Sequence, residues 1–144
     1  MLLQAIRSGD VSSAHDCSDG GLAVAVAECC VANLDYQTGA EIDLSGWREF
    51  PDRAILFGES QGRIVVSSPS PQRILAIAAA AGVPCVQIGR VRLESNALEI
   101  KLPGTSMRSS VGNLSRAYHD AIPIVMSRTP EHATFDELAP VAAH

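Results

Sequence analysis

Lysine is almost missing from this chain of 144 residues: Lys101 stands alone, and the arginines are scattered. A nucleic-acid binder concentrates basic side chains on one face. Here the formal net charge is −5 and the pI is near 5.2, so nucleic acid is not an expected partner. Long apolar runs are missing too. None approaches the roughly 20 residues needed to cross a bilayer, and the opening MLLQAIRSGD has no basic stretch followed by a long apolar one. Neither a membrane span nor a signal peptide is expected. Cysteine occurs at 17, 29, 30 and 85, never as CxxC. Cys29 and Cys30 are adjacent on an expected helix, where neighbours diverge by about 100°. All four read as reduced thiols of a cytosolic protein, rather than as part of a zinc site with His15 or His119. There is no GxxxxGK[ST], so a P-loop is not supported. Gly58-Glu59-Ser60-Gln61-Gly62 has the letters GxSxG but leads into an expected strand instead of from a strand into a helix, so no serine in this chain sits in a hydrolase elbow.

What is present is an ordinary globular composition, 47% hydrophobic and 19% charged, in a length suited to one domain. A chain this long buries roughly 70% of its unfolded surface. The pattern predicts a short helix over 2–8, a strand over 11–15 and a helix over 20–34. That helix carries Leu22, Val26, Cys29, Cys30 and Asn33 at helical spacing, with Val24 and Val31 widening the stripe. Residues 39–44 alternate Ala40, Ile42 and Leu44 with Glu41 and Asp43, which predicts a strand. A loop or short helix over 45–52 and a strand over 63–68 follow. A helix over 72–81 is closed by Gly82 with Pro84 beyond it.

Residues 85–93 read as a strand whose alternation slips at Gly89, predicting a β-bulge. It is expected to pair as a hairpin with the strand 97–102. Residues 103–113 read as a loop. A last helix is expected from Leu114, presenting Leu114, Ala117, Tyr118, Ala121, Ile122 and Val125, and kinked by Pro123. Residues 129–144 are expected to form a flexible tail. Helices alternating with strands, hairpins included, argue for an α/β (α+β) fold with a mixed sheet covered by helices.

Two stretches stand out chemically. Asp16-Cys17-Ser18-Asp19-Gly20-Gly21 leads into the helix over 20–34. A helix start offers free N–H groups and partial positive charge. Ser18 or Asp19 suits the N-cap, and two glycines leave the backbone open to a phosphate. Two carboxylates repel a bare phosphate, and a bridging Mg²⁺, which takes hard oxygens, removes that conflict. The plainer alternative is that Asp19 caps the helix while Asp16 faces water. The second stretch, Leu56 to Ser68, brackets Glu59-Ser60-Gln61 between Gly58 and Gly62. A turn into a strand explains the glycines. The three polar side chains also suit a polar substrate. His15 reads as a base or, more simply, as a partner of backbone or carboxylate. His119 and Asp120 read as a solvated face.

Taken in order, SAHDCSDGGLAVAVAE, LFGESQGRIVVS and LSRAYHDAIPIVM resemble the phosphoribosylformylglycinamidine synthases of purine synthesis. These are members of the aminoimidazole ribonucleotide synthase superfamily. The resemblance covers roughly residues 1–128. It implies the second C-terminal domain of the synthetase chain, with a mixed sheet and a partly ferredoxin-like fold. The implied reaction uses ATP to activate the amide oxygen of formylglycinamide ribonucleotide, and glutamine-derived ammonia then displaces phosphate. The implied role of this copy is auxiliary, with no catalytic residue. Asp16 would bind Mg²⁺. Ser18, with Asp16, Asp19, Gly20 and Gly21, would meet ATP or ADP. Glu59, Ser60 and Gln61 would match substrate contacts of the other copy. The implied partners are the remaining domains of the synthetase chain, a glutaminase subunit and a small bridging subunit. A non-catalytic assembly module is the alternative. A kinase or a selenium- or hydrogenase-maturation enzyme of the superfamily is a third reading, against which GESQGR argues.

Overall fold

The computed structural model describes residues 1–127. Helix α1 (Leu2–Arg7) leads to β1 (Ser13–Asp16), α2 (Gly21–Val31) and β2 (Gly39–Asp43). Then come α3 (Asp52–Phe57), β3 (Ile64–Ser67), α4 (Pro71–Ala80), β4 (Gly89–Arg92), β5 (Ala97–Lys101) and β6 (Ser106–Ser110). Helices α5 (Val111–His119) and α6 (Ala121–Ser127) follow. The strands form two sheets. β1 pairs antiparallel with β3, and the four-stranded sheet runs β4-β2-β5-β6. Within it β2 and β5 are parallel and the other pairs antiparallel, so the expected mixed sheet covered by helices is present.

The expected hairpin of 85–93 with 97–102 does not form, because β2 lies between β4 and β5. The short connection 93–96 passes over the start of β2 at Gly39. A Cβ there would lie 2.5 Å from the Ala97 carbonyl oxygen and 2.6 Å from that of Ser95. A glycine at 39 is therefore what lets two strands joined by four residues sit on either side of a third. β4 starts at Gly89, so the slip in alternation marks a strand start and not a bulge. Residues 106–110, expected as loop, form β6 against β5. SMRSS has little apolar signal because both its faces are mostly exposed.

One face of the sheet is apolar. Ala40, Ile42, Leu44, Leu98, Ile100 and Leu102 are buried there against Leu22, Val26, Cys30 and Val31 of α2. The other face carries a row of charge, Arg90, Glu41, Glu99 and Arg108, paired at 3.2 Å between Arg90 and Glu41 and 3.0 Å between Arg108 and Glu99. This is the apolar-in, polar-out division of a sheet with one solvated face. Cys29 departs from the expected stripe of α2 and is exposed.

α4 ends as expected. Val83 N–H bonds the Ala78 carbonyl at 2.9 Å and Gly82 N–H that of Ala79 at 3.1 Å, a Schellman motif. Its Arg73 reaches back to the buried Asp10 at 2.8 Å, where Ser8 Oγ also donates at 2.6 Å. α5 begins three residues earlier than expected, because Ser110 Oγ accepts the Asn113 N–H at 3.1 Å and caps it there. Pro123 does not kink one helix. It sits in the first turn of a second, where its missing N–H is tolerated, and the break falls at Asp120. Tyr118, Ile122 and Val125 are exposed rather than buried. His119 is not a free surface group, since its Nε2 donates to the Val31 carbonyl at the end of α2 at 2.9 Å. The expected tail 129–144 lies outside the described residues.

Candidate functional site

The β1–β3 ladder brings the two polar stretches to one place. Asp16, the last residue of β1, is opposite Ile64, the first of β3. The acid loop after β1 and the GESQG loop before β3 therefore leave the same end of the ladder. They meet where the Gly20 N–H donates to Glu59 Oε1 at 3.0 Å. Cys17 N–H joins the Arg63 carbonyl at 2.9 Å.

The start of α2 differs from the expected cap. Neither Ser18 nor Asp19 caps it. Gly20 occupies the N-cap in the left-handed region, φ +78°, with no side-chain acceptor of its own. The acceptor comes from outside the helix, from Glu59. An aspartate in ordinary backbone can fold its oxygen onto the next turn, but two left-handed glycines redirect the chain first. Gly21, expected as open backbone for a ligand, is buried. A Cβ on it would lie 2.8 Å from the carbonyl carbon of Phe57, so its bareness serves the contact of α2 with α3.

His15, Asp16, Ser18 and Asp19 line a shallow pocket of about 160 Å³ together with Ala25 and Glu28 of α2. Ser18 Oγ donates to Asp16 Oδ2. That bond, followed by a backbone bond and the neighbouring His15, holds the Asp16 carboxyl below the ordinary carboxylate range. His15 is a satisfied partner. Its Nε2 lies 2.8 Å from Glu28 Oε2 and its Nδ1 2.7 Å from the Asp16 carbonyl oxygen. Asp19 lines the pocket and makes no side-chain hydrogen bond among the described residues. Ser60 and Gln61 are exposed and do not line it. Glu28 and Arg63 were not singled out from sequence. The signal was slight: Glu28 ends the stretch SAHDCSDGGLAVAVAE, and Arg63 follows the Glu59-Ser60-Gln61 tripeptide after Gly62.

No group of three or more metal-ligating side chains is assembled among the described residues. The donor set nonetheless suits a hard cation held in part by other oxygens. Asp16 offers an exposed, readily ionised carboxylate, and Asp19 and Glu28 add negative charge around the same pocket. Negative charge of this kind repels bare phosphate, and hard carboxylate oxygens are the ligand type that Mg²⁺ takes. Burial pushes the Cys17 thiol up and the Cys30 thiol to about 11, so neither is a ready metal ligand at neutral pH.

Residues 1–100 match the family described as AIR synthase related protein, C-terminal domain. The chain belongs to that family. A phosphoribosylformylglycinamidine synthase subunit PurL of Anaeromyxobacter sp. strain Fw109-5 is 40% identical over 144 residues, covering 94% of this chain and 18% of the relative. The Lactobacillus helveticus PurL is 38% identical over 125 residues. Among solved structures, Thermotoga maritima PurL complexed with ATP superposes with a TM-score of 0.66 at 28% identity, over 79% of this chain and 20% of that one. The same protein is also known complexed with ADP and with FGAR. The chain thus spans about a fifth of the length of the relatives it matches. The mixed sheet expected of an AIR synthase-related C-terminal domain is the one observed.

Proposed function

We propose that this chain is a C-terminal region of the synthetase subunit of a phosphoribosylformylglycinamidine synthase, a single domain over residues 1–128, acting in the cytoplasm. The observation that carries the reading is the meeting of the two motif loops at Gly20 and Glu59 beside the acid pocket. In the proposed whole enzyme, ATP phosphorylates the amide oxygen of formylglycinamide ribonucleotide. Ammonia from a glutaminase subunit then attacks the amide carbon, and phosphate leaves to give the amidine. A PurLQS assembly is known from Thermotoga maritima, in keeping with a glutaminase and a small bridging subunit as partners.

The region's own part in this is auxiliary. Its pocket of about 160 Å³ is below the roughly 300–1,000 Å³ of ordinary ligand sites. It suits the phosphate end of ATP or ADP with Mg²⁺, the rest of the nucleotide lying against other domains of the synthetase. Asp16 would ligate Mg²⁺ and Ser18 would hold Asp16 in its ionised form. Asp19 would add charge at the rim, and Gly20 and Gly21 would set the start of α2. Mg²⁺ supplies charge neutralisation for the phosphates. Glu59 serves the loop contact, while Ser60 and Gln61 remain free for substrate or a neighbouring domain. No residue here is catalytic, since phosphoryl transfer needs several positioned charges at once.

A second reading, a purely structural assembly module, draws on Glu59 already filling the Gly20 N–H. The GESQGR stretch and the PurL relatives speak against the kinase and the selenium- or hydrogenase-maturation chemistries. The test is a chimera in which this chain replaces the matched region of the Anaeromyxobacter PurL. The chimera should form the amidine with ATP and ammonia, and the 144-residue chain alone should form none. A soluble, folded chimera without product would overturn the reading.

A further inference from the structure

We propose that Arg63 is a positioning residue for the acid loop, which it reaches through Gly58 and Glu59. Its functional meaning rests on the reading of that loop as a metal–phosphate site. Three hydrogen bonds close a ring around the two loops. Cys17 N–H donates to the Arg63 carbonyl at 2.9 Å. The Arg63 guanidinium Nη2 donates to the Gly58 carbonyl. Glu59, the next residue, accepts the Gly20 N–H at 3.0 Å. Residues 17–20 and 58–63 lie on this ring.

The first bond is backbone to backbone and survives any substitution at 63. The second needs the side chain. Gly58 closes α3 in an extended conformation, with its N–H on the Ala54 carbonyl at 3.1 Å. Its own carbonyl has left the helix ladder. Residues 58–62 belong to no helix or strand. Among the described residues, beyond the Gly58 N–H on the Ala54 carbonyl, this loop is held from outside itself by the Arg63–Gly58 and Glu59–Gly20 bonds. Release of the Gly58 carbonyl frees Glu59, and Gly20 then loses its acceptor beside Asp19, Ser18 and Asp16.

The guanidinium itself points to position over bonding. Arg63 Nε is buried with no hydrogen-bond partner among the described residues, and an unsatisfied buried donor costs free energy that a side chain kept only for stability would avoid. Local rules are broken most often where a site imposes its own geometry.

The test uses amide hydrogen exchange and ¹⁵N NMR spectra of the 144-residue chain. Arg63→Ala should speed exchange at Gly20 at least tenfold and move its amide resonance toward its position in Glu59→Ala, while β2 and β5 amides keep their rates. Arg63→Lys, which keeps a charged donor, should restore more than half of both changes. If Arg63→Ala does not fold, Arg63→Gln takes its place with the same outcomes. Exchange that rises equally in β2, β5 and Gly20 would show a general stabilising role and overturn the proposal. An unchanged Gly20 resonance would overturn it too. No nucleotide enters this measurement, so its outcome is separate from that of the phosphate-site reading, which nucleotide counting tests.

Discussion

Glu59 Oε1 accepts the backbone N–H of Gly20 at 3.0 Å, across 39 residues of chain. A helix start that its own sequence leaves uncapped is completed by a carboxylate from another loop. The placement is favourable twice over, since the carboxylate accepts an orphan donor and sits at the positive end of α2. Glu59→Ala should therefore cost about 1 kcal/mol, and Glu59→Gln less. Urea unfolding of both variants checks this. Equal stability of all three proteins would show that the contact contributes nothing.

Gly21 is more demanding than the loop glycine Gly46. Its φ is +70°, and a Cβ would press on the Phe57 and Leu56 backbone within 2.9 Å. Gly21→Ala should cost more than about 2 kcal/mol, combining left-handed strain with overpacking. Gly46→Ala, where a Cβ meets nothing within 4 Å, should change stability by no more than about 0.5 kcal/mol. Thermal unfolding of the pair gives the comparison.

Asp19 is dispensable for folding on this structure. It is exposed and makes no capping bond. Asp19→Ala should leave stability within about 0.5 kcal/mol of the parent. A loss of 1 kcal/mol or more in urea unfolding would restore Asp19 as the helix cap.

Asp16 and Ser18 make a pH prediction. The Ser18 hydroxyl favours the ionised Asp16, so the folded carboxyl titrates below its ordinary range. A lowered folded value gives stability that is present above the unfolded pKa and lost as pH falls through the folded one. Ser18→Ala should raise the Asp16 titration toward the ordinary carboxylate value, and should flatten the stability loss in that acidic window. Carboxyl ¹³C NMR of both proteins measures the shift. An unmoved midpoint would mean that the serine does not act on Asp16.

Much of the fold was legible where one physical signal dominated. Ala40, Ile42 and Leu44 alternate because β2 is a central strand with one buried face. Pro71 and Gly82 bound α4 through helix-end chemistry that is local. Strand order was not legible, because insertion of β2 between β4 and β5 depends on a close passage at Gly39 that alternation does not report. β6 was missed because an edge strand of serines, Met107 and Arg108 buries little. In the site, Asp16, Ser18 and Asp19 converge as their sequence proximity suggests. The capping role did not survive, because left-handed backbone at Gly20 and Gly21 turns the chain before Asp19 can reach the helix. Glu28 meets His15 across the fold and the Arg63 side chain turns back on Gly58 in its own loop, contacts that no periodic spacing displays.

Asp16 is proposed to serve a metal–nucleotide site completed by the rest of a synthetase. That role is tested by counting bound nucleotide on the PurL chimera carrying this chain, at saturating Mg²⁺–ADP, with and without Asp16→Asn. A neutral amide oxygen is a poorer Mg²⁺ ligand than a carboxylate. Two nucleotides per chain are expected in the parent chimera and one in Asp16→Asn, with urea unfolding of the 144-residue chain unchanged by the substitution. Two nucleotides in both chimeras, or only one in the parent, would contradict that role.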